Sequence, residues 1–281
     1  NIHQYQLDYN LYSDSLFKIR HYYLPEEGPN KINIKVGGEF QFPNGTVFFK
    51  TFLREENNQR RPVETRILYQ IDQQWLSLTY QWDEDSRDAT LMNGRGADIK
   101  FLHFKDSVDY HIPNRLECAN CHLHEKGSIL GFKQINHTRK NQSNNMELLN
   151  QLDLQISGLE NLTTPCMDSL NDVSKKAISY LQVNCSHCHS PGHTNFQTTG
   201  LSLEPCDIVE RLSGKLPKVF IETDLSIQIL HPGVPEKSLL YQLLKIEDDD
   251  SRKQMPLLGV SKPDIQGREW IKQWILNLPT P

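Results

Sequence analysis

From Lys31 to about Asp109 the pattern of apolar and polar positions is that of β-strands. "EFQFPNGTVFFKTF" carries a Pro43-Asn44-Gly45 turn signal followed by a β-branched and aromatic run, the pattern of a hairpin. "ETRILYQI" and "QWLSLTYQW" alternate apolar and polar residues on either side of a short Asp-Gln turn, and "DIKFLHF" adds another strand. About five strands with short connections predict an antiparallel sheet or small barrel. "DEDSRDATLMNGRGA" reads as a polar, Gly-containing loop, and residues 1–30 as an extended lead-in with room for one short helix.

The period then changes. "MELLNQLDLQISGL" sets Leu148, Leu149, Leu152 and Ile156 at helical spacing, and "SLNDVSKKAISYLQVN" does so with Val173, Ala177, Tyr180 and Leu181. The C-terminal "SKPDIQGREWIKQWILNL" aligns Ile271, Trp274, Ile275 and Leu278 in one stripe, and Ser261 with Asp264 three residues on resembles a capping box at its start. Trp270 and Trp274 are expected to pack that helix. Residues 158–168 look like a linker. The predicted class is α+β: an antiparallel β-rich domain over 1–160, then an α-helical domain over 161–281.

Length and charge narrow the function. The 281 residues suit two domains of ordinary size. The formal net charge is -5 and no basic face suited to nucleic acid stands out. No apolar run approaches the roughly 18 residues a membrane-spanning helix needs.

The cysteines change the picture most. Four of the six lie in Cys118-Ala-Asn-Cys121-His122 and Cys185-Ser-His-Cys188-His189. Two cysteines three apart, followed at once by histidine, is the attachment pattern for c-type haem. Each thiol adds to one vinyl group, and the adjacent imidazole turns onto the iron from the same side. Two covalent haems are expected, on Cys118 and Cys121 with His122 as iron ligand, and on Cys185 and Cys188 with His189. A four-Cys zinc site leaves the histidines unexplained, and a thioredoxin-type pair lacks its βαβ setting. Such haem is attached outside the cytoplasm and no signal peptide precedes Asn1, so a mature exported form, periplasmic or extracellular, is expected. Cys166 and Cys206 are then expected to pair as a disulfide, with two buried thiols as the alternative.

In the second half, the order helix, CxxCH, irregular segment, Met255-Pro256, terminal helix resembles a class I cytochrome c domain. The resemblance implies Met255 as the sixth ligand opposite His189, and a terminal helix packed on the helix before the haem. A thioether on iron raises the potential; a core-filling methionine is the plain alternative. In the first half, "FPNGTVFFK" followed later by "ECANCH" resembles the haem–lysine cross-linked hydroxylamine-oxidising cytochromes, which fold as a β-sheet around one c-type haem. That resemblance implies a role for Lys50 at the first haem, against the plain reading of a solvated lysine. The distal ligand there stays open among His103, His111, His137, Met92 and Met146. Arg66 or Arg115 is a candidate partner for a propionate, and His193 reads as exposed. Over the whole chain, "LYSDSLFKIRHYYLP", "RPVETRILY", "IPNRLECANCH", "YLQVNCSHCH" and "KQMPLLG" resemble a family of bacterial dihaem c-type cytochromes.

The expected function is transfer of single electrons between redox partner proteins. The acidic run Glu247–Asp250 reads as a solvated loop or as a dock for a basic partner. Two alternatives stand beside it. One is an enzyme acting on peroxide or a small nitrogen compound at the first haem, with the second as relay. The other is a subunit of an extracellular filament, with His3 or His21 reaching a neighbour's haem.

Overall fold

The computed structural model describes residues 2–25, 32–36, 39–72, 74–122, 129–132, 156–161, 165–218, 226–244 and 255–280. The chain divides into two compact units, Asn1–Thr163 and Thr164–Pro281. Strands and helices both occur, so the class is α+β.

The first unit is built on an antiparallel sheet of six strands. Its spatial order is β1 (Ile2–Tyr5), β2 (Phe17–Tyr23), β5 (Val47–Glu56), β6 (Gln59–Ile71), β7 (Gln74–Trp82) and β8 (Ala89–Leu91). β9 (Ala97–His103) and β10 (Asp106–Ile112) form a hairpin, and β3 (Ile32–Ile34) lies between β4 (Phe40–Gln41) and β11 (Ile156–Ser157). The expected lead-in is therefore two strands, with no helix among its described residues. "FKIRHYY" is rich in β-branched and aromatic residues, and pairing with β5 decides its state. β8 likewise replaces part of the expected polar loop, because its backbone completes the ladder of β7. Ile156 sits in a strand, in parallel register with Ile32, rather than on a helix. The rest of that expected helix, Leu148 to Leu152, lies outside the described residues.

Local chemistry explains the long central hairpin. Asn57 and Asn58 join β5 to β6 with φ of 52° and 61°, left-handed values that asparagine tolerates. The Pro43–Gly45 turn closes with the Thr46 hydroxyl donating to the Pro43 carbonyl at 2.6 Å. A β-bulge falls between Phe52 and Leu53.

Two apolar clusters fill the sheet's inner side. One gathers Tyr5, Tyr22, Phe42, Phe48 and Phe132, the other Phe52, Val63, Phe101, Val108, Tyr110 and Ile112. Phe48 belongs to the first and Phe52 to the second, so Lys50, which shares their face of β5, stands between them.

The second unit is helical and irregular. Its long helices are Asp172–Asn184 and Ile265–Leu276. Ala177 and Leu181 of the first, and Ile271, Trp274 and Ile275 of the second, are buried. The two helices pack on each other at Gly267, where an added Cβ would lie 2.2 Å from a Tyr180 ring carbon. The Tyr180 ring also meets Trp270 edge to face at 6.2 Å. The terminal helix is capped by Asp264 itself, whose carboxylate accepts from Gly267 N–H at 2.9 Å. Ser261 is thus not its N-cap, because Ile265 is the first helical residue. Cys166 and Cys206 form the expected disulfide, with Cα atoms 5.6 Å apart.

Candidate functional site

The first cysteine motif lies on the helix α1 (Arg115–His122), which packs against β7. Asn114 and Glu117 start it reciprocally. The Asn114 side chain accepts from Leu116 and Glu117 N–H at 2.9 and 3.0 Å, and Glu117 accepts from Asn114 N–H at 2.8 Å. This is a capping box, placed directly after Pro113. The helix then does the geometric work: Cys118, Cys121 and His122 stand at i, i+3 and i+4, on one face. All three are partly buried, and neither cysteine is in a disulfide.

Two of the candidate distal histidines are engaged elsewhere. His111 is bridged, Nδ1 to Asp98 at 2.6 Å and Nε2 to Glu117 at 2.8 Å. His103 is buried and its Nδ1 accepts from Glu55 N–H at 2.9 Å. Met92 is partly buried on the turn after β8. His137 and Met146 lie outside the described residues.

The His111 bridge predicts a pH effect. Burial opposes the imidazolium charge, but hydrogen bonds and charge from Glu117 and Asp98 outweigh it, and the pKa rises above its ordinary value. The bridge therefore stabilises fully below about pH 6.5 and is lost as pH rises through the raised folded value. The side chain is 41% exposed, so solvent screens the effect. The difference in melting temperature between the wild type and His111→Gln should shrink as pH rises; a constant difference contradicts the bridge.

Beside α1 the inner face of the sheet carries charge. Arg20 on β2 is register-paired with Lys50 on β5, and Lys50 with Arg66 on β6. Paired strands lie about 4.8 Å apart, so three cations stand side by side. Arg66 is neutralised: it makes a two-point contact with Glu64, which is fully buried and also accepts from the Tyr110 hydroxyl. Lys50 Nζ lies 4.9 Å from the Phe52 ring centroid, and the Arg66 guanidinium carbon 4.4 Å from it. Burial first, then Arg20, Arg66 and Lys18, push the Lys50 pKa well down. The row adjoins the motif electrostatically. Burial raises the Cys118 thiol pKa and the Arg66 charge opposes that rise. Lys50, predicted on the strength of a short motif, thus shares this inner face with groups that act on Cys118. Arg115 is exposed. Sequence reading did not find Arg20, Glu64 or Tyr110. Their one signal was position: each falls on an inward register of its strand, which needs the pairing to be known.

The second motif follows the helix Asp172–Asn184 as a tight turn. Cys188 and His189 N–H both donate to the Cys185 carbonyl, at 3.0 and 2.9 Å, and Leu203 N–H to the His189 carbonyl at 2.8 Å. His189 is 8% exposed, and its Nδ1 is buried without a hydrogen-bond partner among the described residues. Burial, then His193 and His187, lower its pKa to about 4. A neutral buried imidazole beside two thiols outside disulfides is a donor set that fits an iron porphyrin. His193 is buried rather than exposed. Its Nδ1 caps the helix Thr194–Thr199 by accepting from Asn195 N–H at 3.0 Å, and that role takes it inside. Met255 is partly buried and its N–H donates to the Leu243 carbonyl at 2.8 Å. The run Glu247–Asp250 lies outside the described residues, and no helix among them is long and apolar enough to cross a membrane. Against known proteins, the chain matches no family model, no curated protein and no solved structure.

Proposed function

We propose that the chain is an exported dihaem c-type cytochrome that passes single electrons between redox partner proteins. The observation that carries this reading is the presence of two CxxCH motifs, each with both thiols outside disulfides and its histidine adjacent. Cys118, Cys121 and His122 would hold one haem, and Cys185, Cys188 and His189 the other. When bound, haem supplies a one-electron couple whose potential follows axial ligand and burial. The residues of this chain supply attachment, a neutral buried imidazole at His189 and a low-dielectric surround.

The resemblance of the second unit to class I cytochrome c is part of the proposal. It is supported by the packing of the terminal helix on the helix before Cys185 and by the backbone tie of Met255. Met255 is the proposed sixth ligand there. Redox titration should show two one-electron steps, and Met255→Ala should lower one potential while leaving the other unchanged. An unchanged pair of potentials assigns the ligand elsewhere, and a chain without redox-active absorbance contradicts the whole reading.

One observation favours a second reading, an enzyme at the first haem. Lys50, Arg66, Glu64 and Tyr110 place a lysine of depressed pKa and a buried carboxylate among groups that act on Cys118. Such paired ionisable groups are a mark of reaction sites. A wholly low-spin ferric spectrum would count against it, and a high-spin component shifted by cyanide would support it.

A further inference from the structure

We infer that Arg20 and Lys50 form a receptor for one small oxyanion or carboxylate on the inner face of the first unit's sheet. This goes beyond electron transfer and does not require it.

Charge on this face is unbalanced. Three cations stand in register across β2, β5 and β6; among the described residues Glu64 is the carboxylate that acts on Lys50, and the buried Asp14 acts on Tyr110. Glu64 is already taken by Arg66 and the Tyr110 hydroxyl. Arg20 is 5% exposed, and its Nη2 is buried without a hydrogen-bond partner among the described residues. Lysine escapes such a place by losing its proton; arginine cannot, because its guanidinium stays charged at any pH a protein survives. A buried, unpaired ion costs several kcal/mol. A core that merely needed filling would put leucine at this register, since the clusters on both sides are aromatic and aliphatic. The row interrupts that core instead, and an anion resolves it.

The chemistry of the occupant follows from the donors. Arg20 offers a flat fork that suits a planar two-oxygen group. Lys50 offers a point charge one strand away, and its pKa, held down by burial and by Arg20 and Arg66, would rise with a negative group between them. Phe48 and Phe52 bound the row along β5 and limit the guest to a few atoms. Lys50 and Arg66 are partly exposed, which leaves a way in. A carboxylate or nitrite-like anion meets these terms. The carboxylate has two sources: a propionate of a haem held at Cys118, or a free anion from solution.

The test uses the full-length protein as purified, at fixed ionic strength in chloride, with acetate and nitrite as probes. If the occupant is free, either probe raises the melting temperature saturably, and Arg20→Gln weakens that response by about tenfold or more. If it is a propionate, the wild type ignores both probes, and Arg20→Gln shifts one haem potential and makes it pH-dependent as the released carboxylate titrates. If the occupant is free, Arg20→Gln measured without probe should not lower the melting temperature, since Arg20 Nη2 has no hydrogen-bond partner among the described residues to lose. Lys50→Met provides the same readings should Arg20→Gln fail to fold. No anion response in the wild type together with potentials that Arg20→Gln leaves unaltered overturns the inference, as does an anion response that Arg20→Gln leaves undiminished. A chain lacking covalent haem would sink the cytochrome reading and leave the free-anion arm intact.

Discussion

Glu64→Gln is expected to destabilise the first unit by about 3 kcal/mol. The substitution keeps shape and removes charge. Arg66 then loses its counter-ion in a two-point contact, and the Tyr110 hydroxyl loses a charged acceptor. Glu64 is fully buried, so water cannot take over its role. Burial works to lower the Arg66 pKa; Glu64 and Tyr110 outweigh it and hold the pKa above the ordinary value. Tyr110→Phe removes one hydrogen bond and leaves the ion pair, so about 1–2 kcal/mol is expected there. Chemical denaturation measures both, with the midpoint moving and the slope constant. A Glu64→Gln midpoint like that of the wild type would mean that the carboxylate carries no structural load.

Gly267→Ala should disrupt the second unit. The added Cβ would meet two Tyr180 ring carbons at 2.2 and 2.3 Å and the hydroxyl oxygen at 2.7 Å. Tyr180 has little freedom to yield, being 4% exposed and set edge to face against Trp270. Overpacking of this kind costs about 1–3 kcal/mol, and valine should cost more than alanine. The clash has a defined partner, so a double change tests it. Tyr180→Leu opens the space, and Gly267→Ala should cost less in that background than in the wild type. Equal costs in the two backgrounds would place the strain elsewhere. The contact matters for function because the helix carrying Tyr180 ends at Cys185, so the terminal helix steadies the second motif.

How much of this was legible in the sequence depends on what each feature needs. The two cysteine motifs need only spacing, and spacing is written in the chain. The helix faces of Ala177, Leu181, Ile271 and Trp274 follow from period, and the helices present those residues to their core. Lead-in and loop were misread because β2 and β8 depend on a partner strand more than on their own residues. His193 was read as exposed because a histidine in a Gly-containing turn gives no sign that its ring will cap a helix from inside. The charged row is the plainest case. Arg20, Lys50 and Arg66 are distant in sequence and ordinary one by one. Only register places them side by side; for Lys50 and Arg66 it is set by the Asn57-Asn58 hairpin turn, while for Arg20 it must bridge the long connection from β2 to β5, which no local pattern encodes. Glu64 and Tyr110 were missed for the same reason, since a carboxylate and a phenol 46 positions apart become partners only when β6 faces β10.

The proposed function requires two haems bonded to this chain through Cys118, Cys121, Cys185 and Cys188. Intact mass under denaturing and reducing conditions tests it most directly. The account predicts the polypeptide plus two haems, with one lost in Cys118→Ser/Cys121→Ser and the other in Cys185→Ser/Cys188→Ser. A bare polypeptide mass, from protein made in a host that attaches c-type haem, would contradict it.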